Sequence, residues 1–274
     1  NYWGDESGPY HEGLNADGEG NGVEGSVLFD PWYTDEACTI PSAVYSVENI
    51  TQDKVYSTIQ AAIDEAEDED VIEVGEGTYN ESLNIDKDIT LRGVCGDADL
   101  AGPGENAPVL DGSDLDFANG ITLADGAKNV TIEGFELTNF GNDGINCDQV
   151  DVEKIIVRYT HIHDLGGSGI KDDNYNCAGE NEWEITYNVI EKFGDGTSNN
   201  GIRISDIAGV IIAHNEIYDH SQEKSKGIYL FNVGDSSTIE GNTIKVPGGG
   251  KTGINIDHYG QAGDVLIIDN CLLG

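Results

Sequence analysis

The chain contains no methionine and only 13 basic residues among 274, against 52 acidic ones, for a net charge of −39. The missing methionine leads to the expectation of a processed or excised piece. The scarcity of Lys and Arg excludes nucleic acid and anionic lipid as partners, because a surface of that sign repels both. Long apolar runs are lacking too. No stretch approaches the roughly 18 apolar residues of a membrane span, so no membrane insertion is expected. The five cysteines, at 38, 95, 147, 177 and 271, show no CxxC or Cys/His spacing, which argues against zinc held by thiolates. Their odd number leaves one thiol free or pairs it with another chain.

The acid excess does not mean disorder, since 38% of the residues are apolar and they recur at regular intervals. It predicts a folded protein whose acidic surface stays hydrated in strong salt, where screening removes most of the self-repulsion. A halophilic source is the first expectation, and calcium on the carboxylates a compatible second. Sequons at Asn49, Asn80 and Asn129 add weak signs of export, so an extracellular or cell-surface location is expected.

What is present is a repeat. Gly-Ile occurs at 120, 144, 169, 201, 227 and 253, at spacings of 24, 25, 32, 26 and 26. A second apolar run follows each: NVTIEGFEL, KIIVRYTHI, WEITYNVI, VIIAHNEI, SSTIEGNTI and DVLIIDNCLL. Aligned, those runs place Asn188, Asn215, Asn242 and Asn270 in one column, which Phe135 and Thr160 fill in the earlier repeats. The spacing of 32 comes from an insertion, NYNCAGENEW, between Ile170 and Ile185. A period near 26 with short alternating runs predicts stacked coils of parallel β-structure. Alternation puts Ile121, Ile145, Ile170, Ile202, Ile228 and Ile254 in one inward stack, at roughly 4.8 Å per coil. The asparagines are predicted to form a ladder, each amide donating to one neighbour and accepting from the other at an inward bend.

A helix is predicted at the start of this region. Ser57 and Thr58 can cap it, and Ile59, Ala62, Ile63 and Ala66 form an apolar stripe at helical spacing. Such a helix would plug the open end of the apolar column and hide its strand edges.

The GI…I-x-x-N-x-I repeats and the segment VYSTIQAAIDEAEDEDVIEVGEGTYNESLNI…ITLRG together resemble the right-handed parallel β-helix family of the pectin-lyase type, in particular its carbohydrate-binding CASH-like branch. The resemblance covers about residues 46–274 and implies an all-β, right-handed parallel β-helix with an N-terminal capping α-helix. The opening NYWG…GP…FDPWYT resembles a motif near the end of exported β-helix domains, and the chain itself ends in VLIIDNCLLG. Read head to tail, the join DNCLLG-NYWGDESGP resembles that family ending split in two. Residues 1–37 are therefore expected to be a cap-like segment that covers a neighbouring unit's β-helix or folds back on its own helix. A linker at 38–56, the helix cap and first coils at 57–118 and regular coils at 119–274 follow. Trp3, Cys38, Cys271 and Leu272 are the junction candidates, and copies of the same unit, end to end, are the expected partners.

In the resembled family the strand beginning at each Gly-Ile lies on the face that carries active sites. Alternation predicts one outward column of Thr122, Asn146, Lys171, Arg203, Tyr229 and Asn255, and a second of Ala124, Asp148, Asp173, Ser205, Phe231 and Asp257. Lys171, Arg203, Asp148 and Asp173 are thus the catalytic candidates, and Tyr229, Phe231 and Asp257 the candidates for binding an acidic polysaccharide. A glycoside hydrolase would need two carboxylates such as Asp148 and Asp173; a polyuronate lyase or epimerase would need a base and a cation to neutralise the uronate. An ion-paired sheet face with no catalysis explains the same residues. The aspartate cluster of family polygalacturonases, the R-x-x-R-x-P-type signature of pectate lyases and the QD, DFxFG and GRPW elements of pectin esterases are all missing.

For metals, HIHD at 161–164 and YDH at 218–220 fall at equivalent parts of different coils, but a site there would need three or four converging ligands. NADGEG at 15–20 offers Asn15, Asp17 and Glu19 in the first oxygen positions of a calcium loop, without the acidic residue expected at position twelve. The preferred functional reading is a non-catalytic extracellular building block, either a repeat of a large surface protein or a filament subunit. An enzyme or binding module for acidic polysaccharide is the alternative.

Overall fold

The computed structural model describes residues 4, 7, 9–10, 18–22, 47–95, 101–147, 152–173, 182–194, 199–219, 225–246, 252–258 and 264–273. Within them the chain is all-β, a parallel β-solenoid of about six turns with one short helix. Three sheets run the length of the coil stack. The first contains Asn129–Glu133, Lys154–Arg158, Glu182–Thr186, Gly209–Ala213, Ser237–Glu240 and Val265–Ile268. The second contains Glu136–Thr138, His161–His163, Val189–Glu191, Glu216–Tyr218, Thr243–Lys245 and Cys271–Leu273. The third contains Ile121–Leu123, Ile145–Cys147, Ile170–Asp172, Asn200–Ser205, Lys226–Phe231 and Thr252–Asp257.

The Gly-Ile isoleucines stack in register as expected, from Ile121 through Ile145, Ile170, Ile202 and Ile228 to Ile254. The glycines before them have a spatial reason. A Cβ on Gly144, Gly169, Gly201 or Gly227 would meet the carbonyl oxygen of the glycine one coil on at 2.6–2.7 Å, and an isoleucine Cγ2 of the second sheet at 2.4–2.6 Å. Neither neighbour can yield: one is backbone and the other is core.

The asparagine ladder forms. Nδ2 of Asn188 donates to Oδ1 of Asn215 at 3.0 Å, Asn215 to Asn242 at 3.0 Å and Asn242 to Asn270 at 2.8 Å. Each Nδ2 also donates to a carbonyl of the preceding coil: Val157, Ile185, Ile212 and Ile239 in turn. Each Oδ1 additionally accepts the backbone N–H of the preceding member, and Thr160 begins the series with both its N–H and its Oγ1 on Asn188. The residue before each rung, whether Gly134, Tyr159, Tyr187, His214, Gly241 or Asp269, has positive φ, which bends the chain and turns the rung inward. At three of the four non-glycine positions the rings stack, with Tyr159 on Tyr187 at 5.2 Å and Tyr187 on His214 at 4.9 Å.

The helix Ile59–Glu65 closes the N-terminal end, with Thr58 as its cap accepting from Ala61 N, and Ile59, Ala62 and Ile63 buried in the core. The Glu81 carboxylate of the G-T-Y-N-E turn accepts the N–H groups of Ile59 and Gln60, two donors that the first helical turn leaves unpaired. Residues 47–56, expected as the end of a linker, instead form an antiparallel hairpin, Val47–Asn49 with Lys54–Tyr56, that extends the first sheet. Asn49 shapes its turn: Oδ1 accepts from Thr51 N and Gln52 N, while Nδ2 donates to Asp70. That alternation is too short to stand out from a linker by sequence pattern.

Two glycines separate close approach from chance. Gly201→Ala should destabilise the protein by about 1–3 kcal/mol through overpacking. Gly253→Ala, whose nearest obstacle is a Leu272 side-chain methyl at 3.0 Å, should cost clearly less. Guanidinium unfolding of the two variants would show the difference; equal midpoints would remove the steric account.

Candidate functional site

The outward face of the third sheet is built as alternation predicts. Thr122, Asn146, Lys171, Arg203, Tyr229 and Asn255 share one register column, and Ser205, Phe231 and Asp257 another. Asp173 follows its strand directly, and Asp148 lies outside the described residues.

The cations on this face are engaged. Arg203 Nε donates to Asp173 Oδ1 at 2.7 Å, and its guanidinium lies 5.3 Å from the Tyr229 ring centroid. Lys171 Nζ pairs with Asp143 Oδ2 at 3.4 Å, and the other Asp143 oxygen accepts Ser168 N at 2.7 Å. Lys226 Nζ stands 3.5 Å over the Tyr229 ring. Burial pushes the Lys226 ammonium below its ordinary pKa, with the Asp257 charge opposing and the Arg203 charge assisting. At the far end Asn255 Nδ2 donates to Asp257 Oδ2 at 2.9 Å. The arrangement presents ion-paired cations on successive coils, with two cations against one aromatic ring. It can hydrogen-bond hydroxyls and pair with carboxylates.

Two members of this strip escaped the sequence reading. Lys226 has the same parity as inward Ile228, so alternation hides it, and its register partner Asn200 is indeed buried. Asp143 precedes its strand and reaches Lys171 only because the coils stack. Behind the face, Asp172 occupies an inward position and accepts from Trp183 Nε1 at 3.1 Å, so the indole and the carboxylate satisfy each other in the core.

The remaining candidates are scattered. His161 and His163 lie on the second sheet, and Tyr218 ends the second-sheet strand two coils on, while His220 of YDH lies outside the described residues; His214 sits apart at the corner, stacked on Tyr187. The positive-φ bend separates their columns. Burial and neighbouring His163 hold the His161 pKa below its ordinary value against the pull of Glu191 and Glu136. Among the sequons, Asn80 and Asn129 are exposed, but Asn49 is fully buried with its amide on Asp70, which closes it to modification in the folded chain. Glu19 is exposed and its N–H donates to Ser7 Oγ; Asn15, Asp17, Trp3 and Cys38 lie outside the described residues. Cys271 is an exposed free thiol beside Leu272, itself 58% exposed. A recess of about 60 Å³ on the first sheet, lined by Lys154, Glu182, Trp183, Glu184, Gly209 and Val210, is far smaller than a typical small-molecule site. No helix among the described residues is long and apolar enough to cross a membrane.

No protein-family model, no curated protein and no solved structure matches the chain.

The coupling across the third-sheet face is measurable at one atom. Asp257→Asn should lower the Lys226 Nζ pKa further, and Arg203→Gln should bring it back toward the ordinary lysine value, as followed by NMR titration of the side-chain nitrogen. Indifference of Lys226 to both changes would contradict the described geometry.

Proposed function

We propose that the chain is a non-catalytic building block of an extracellular or cell-surface structure. In this reading its coils are continued end to end by further copies of the same unit, as a tandem repeat or as a filament subunit. The observation that carries this is the state of the last coil. Ile267 and Leu272 occupy the same inward columns as Ile239 and Ile244, which are 0% and 1% exposed, yet they are themselves 47% and 58% exposed. The strands Thr252–Asp257, Val265–Ile268 and Cys271–Leu273 each stand at the end of their sheet. A further coil satisfies those edges and buries those side chains, at about 1.5–3 kcal/mol for each large apolar residue fully covered. The helix Ile59–Glu65 covers the opposite end of the described coils, so in this proposal the open last coil meets a cap-bearing end of the next unit.

The pectin-lyase-like kinship belongs to this proposal. It is supported by the module of capping helix, strand and G-T-Y-N-E turn, whose glutamate holds the helix N-terminus. The role of the NYWG…PW segment as a terminal cap rests on the sequence motif alone. Calcium on the acidic surface and a halophilic source rest on the charge of −39.

A second reading, binding or processing of an acidic polysaccharide, is favoured by one feature. Lys171, Arg203 and Lys226, three of only 13 basic residues, stand on three consecutive coils with Tyr229 and Phe231. On this reading Lys171→Ala combined with Asp173→Ala abolishes retention or cleavage of polygalacturonate in affinity electrophoresis and leaves assembly intact.

Sedimentation in concentrated NaCl tests the preferred reading. Wild-type chains should associate with rising concentration, and Ile267→Asp with Leu272→Asp should leave monomers. Association that survives both changes sinks end-to-end stacking. Peptide mass spectrometry of native material then distinguishes the two forms: a fragment reading from Leu272-Leu273-Gly274 into Asn1-Tyr2-Trp3 marks a tandem array, and a free amino terminus at Asn1 a processed subunit. In the same salt series the unfolding midpoint should rise with NaCl as self-repulsion is screened.

A further inference from the structure

The second sheet carries a group of side chains that the end-to-end reading does not use. The strand His161–His163 points both imidazoles outward, because residues two apart on a strand share a face. Parallel register sets Glu136 beside His161 on one side and Glu191 beside His163 on the other. One ligand atom each from Glu136, His161 and His163 lies within 4.8 Å of the other two. Nε2 of His163 is 3.1 Å from Glu136 Oε1, Nε2 of His161 is 3.3 Å from Glu191 Oε1, and the two rings are 4.2 Å apart. Donors held at about 2.0–2.1 Å around a tetrahedral ion stand roughly 3.3 Å from one another. The two His–Glu separations match that spacing; the three grouped donors would draw in slightly, and Glu191, paired to His161 and outside that group, would turn in to join them.

A second, independent feature points the same way. Nδ1 of His163 is 2.6 Å from Asp164 Oδ2, and Lys192 holds that same oxygen at 3.2 Å. A carboxylate on the far nitrogen fixes the tautomer and orientation of a ligating histidine and raises its basicity. All four prospective ligands are part-exposed, which leaves them room to close on an ion. Two imidazole nitrogens select a first-row transition ion over calcium or magnesium, which prefer oxygen donors.

We propose that Glu136, His161 and His163, with Glu191 as the fourth donor, bind one divalent transition ion of the zinc class. The ion joins three successive coils through side chains, beside the backbone ladder that already joins them.

Zinc titration calorimetry on the intact chain, in excess Ca²⁺ to occupy the general acidic surface, is the test. One tight site per chain is expected. It should be lost in His161→Ala and in His163→Ala, and Asp164→Asn should weaken it by about 10–100-fold, the usual cost of removing such an outer partner. Co²⁺ should give the intense visible absorption of a four-coordinate site. Glu136→Gln, nearly isosteric and on the surface, repeats the test with little risk to folding, and far-UV circular dichroism checks each variant. Absence of zinc binding in Ca²⁺ overturns the proposal. So does binding that is unchanged in folded His161→Ala and Glu136→Gln, which would mark adventitious carboxylate binding only.

Discussion

Each coil of this solenoid leaves its backbone donors and acceptors to be satisfied by the coils on either side, and that requirement governs the rest of the structure. Three parallel sheets meet it along the strands. At the corner between the first and second sheets, where a bend would leave groups unpaired, the asparagine ladder meets it with side chains. The same tight stacking forces the Gly-Ile glycines. A coil spacing set by hydrogen bonds leaves no room for a Cβ between one glycine and the carbonyl above it. Glycine, isoleucine and asparagine therefore recur together because they solve parts of one packing problem.

Once coils are held in register, their outward faces become columns of side chains with distinct chemistry. On the first sheet Glu133 sits between Arg92 and Arg158, at 2.7 and 2.6 Å. Burial there pushes its pKa up, and the two guanidinium hydrogen bonds overcome that and hold it below the ordinary value. On the third sheet the scarce cations are spent on Asp143, Asp173 and the Tyr229 ring. The second sheet gathers imidazoles and carboxylates. In a chain of net charge −39, cations and histidines concentrate where acidic columns would otherwise repel each other across about 4.8 Å.

The core of the solenoid was legible in the sequence because its signals repeat. Ile202, Asn215 and their equivalents each recur with the coil period, and a pattern repeated in register is stronger than any one residue. The helix Ile59–Glu65 was legible from its stripe and cap. Features that occur once were not. The hairpin at 47–56, the burial of Asn49 and the pairing of Asp172 with Trp183 have no second copy to compare against. The outward pairings were half visible: alternation named Arg203 and Tyr229, but it gave Lys226 the wrong parity and passed over Asp143.

The sequence by itself determined the repeat, the inward columns, the ladder and the capping helix, because these depend on residue type at a fixed period. Only the tertiary structure decided which outward side chains meet. Residues 25 to 30 apart in the chain, such as Glu136 and His163 or Lys171 and Asp143, come within hydrogen-bonding distance through the stacking of coils, whereas the pairing of Arg203 with Asp173 was already implied by their neighbouring coils. Those contacts depend on the parallel register between coils and on the positive-φ bends between sheets, neither of which changes the pattern within any one strand.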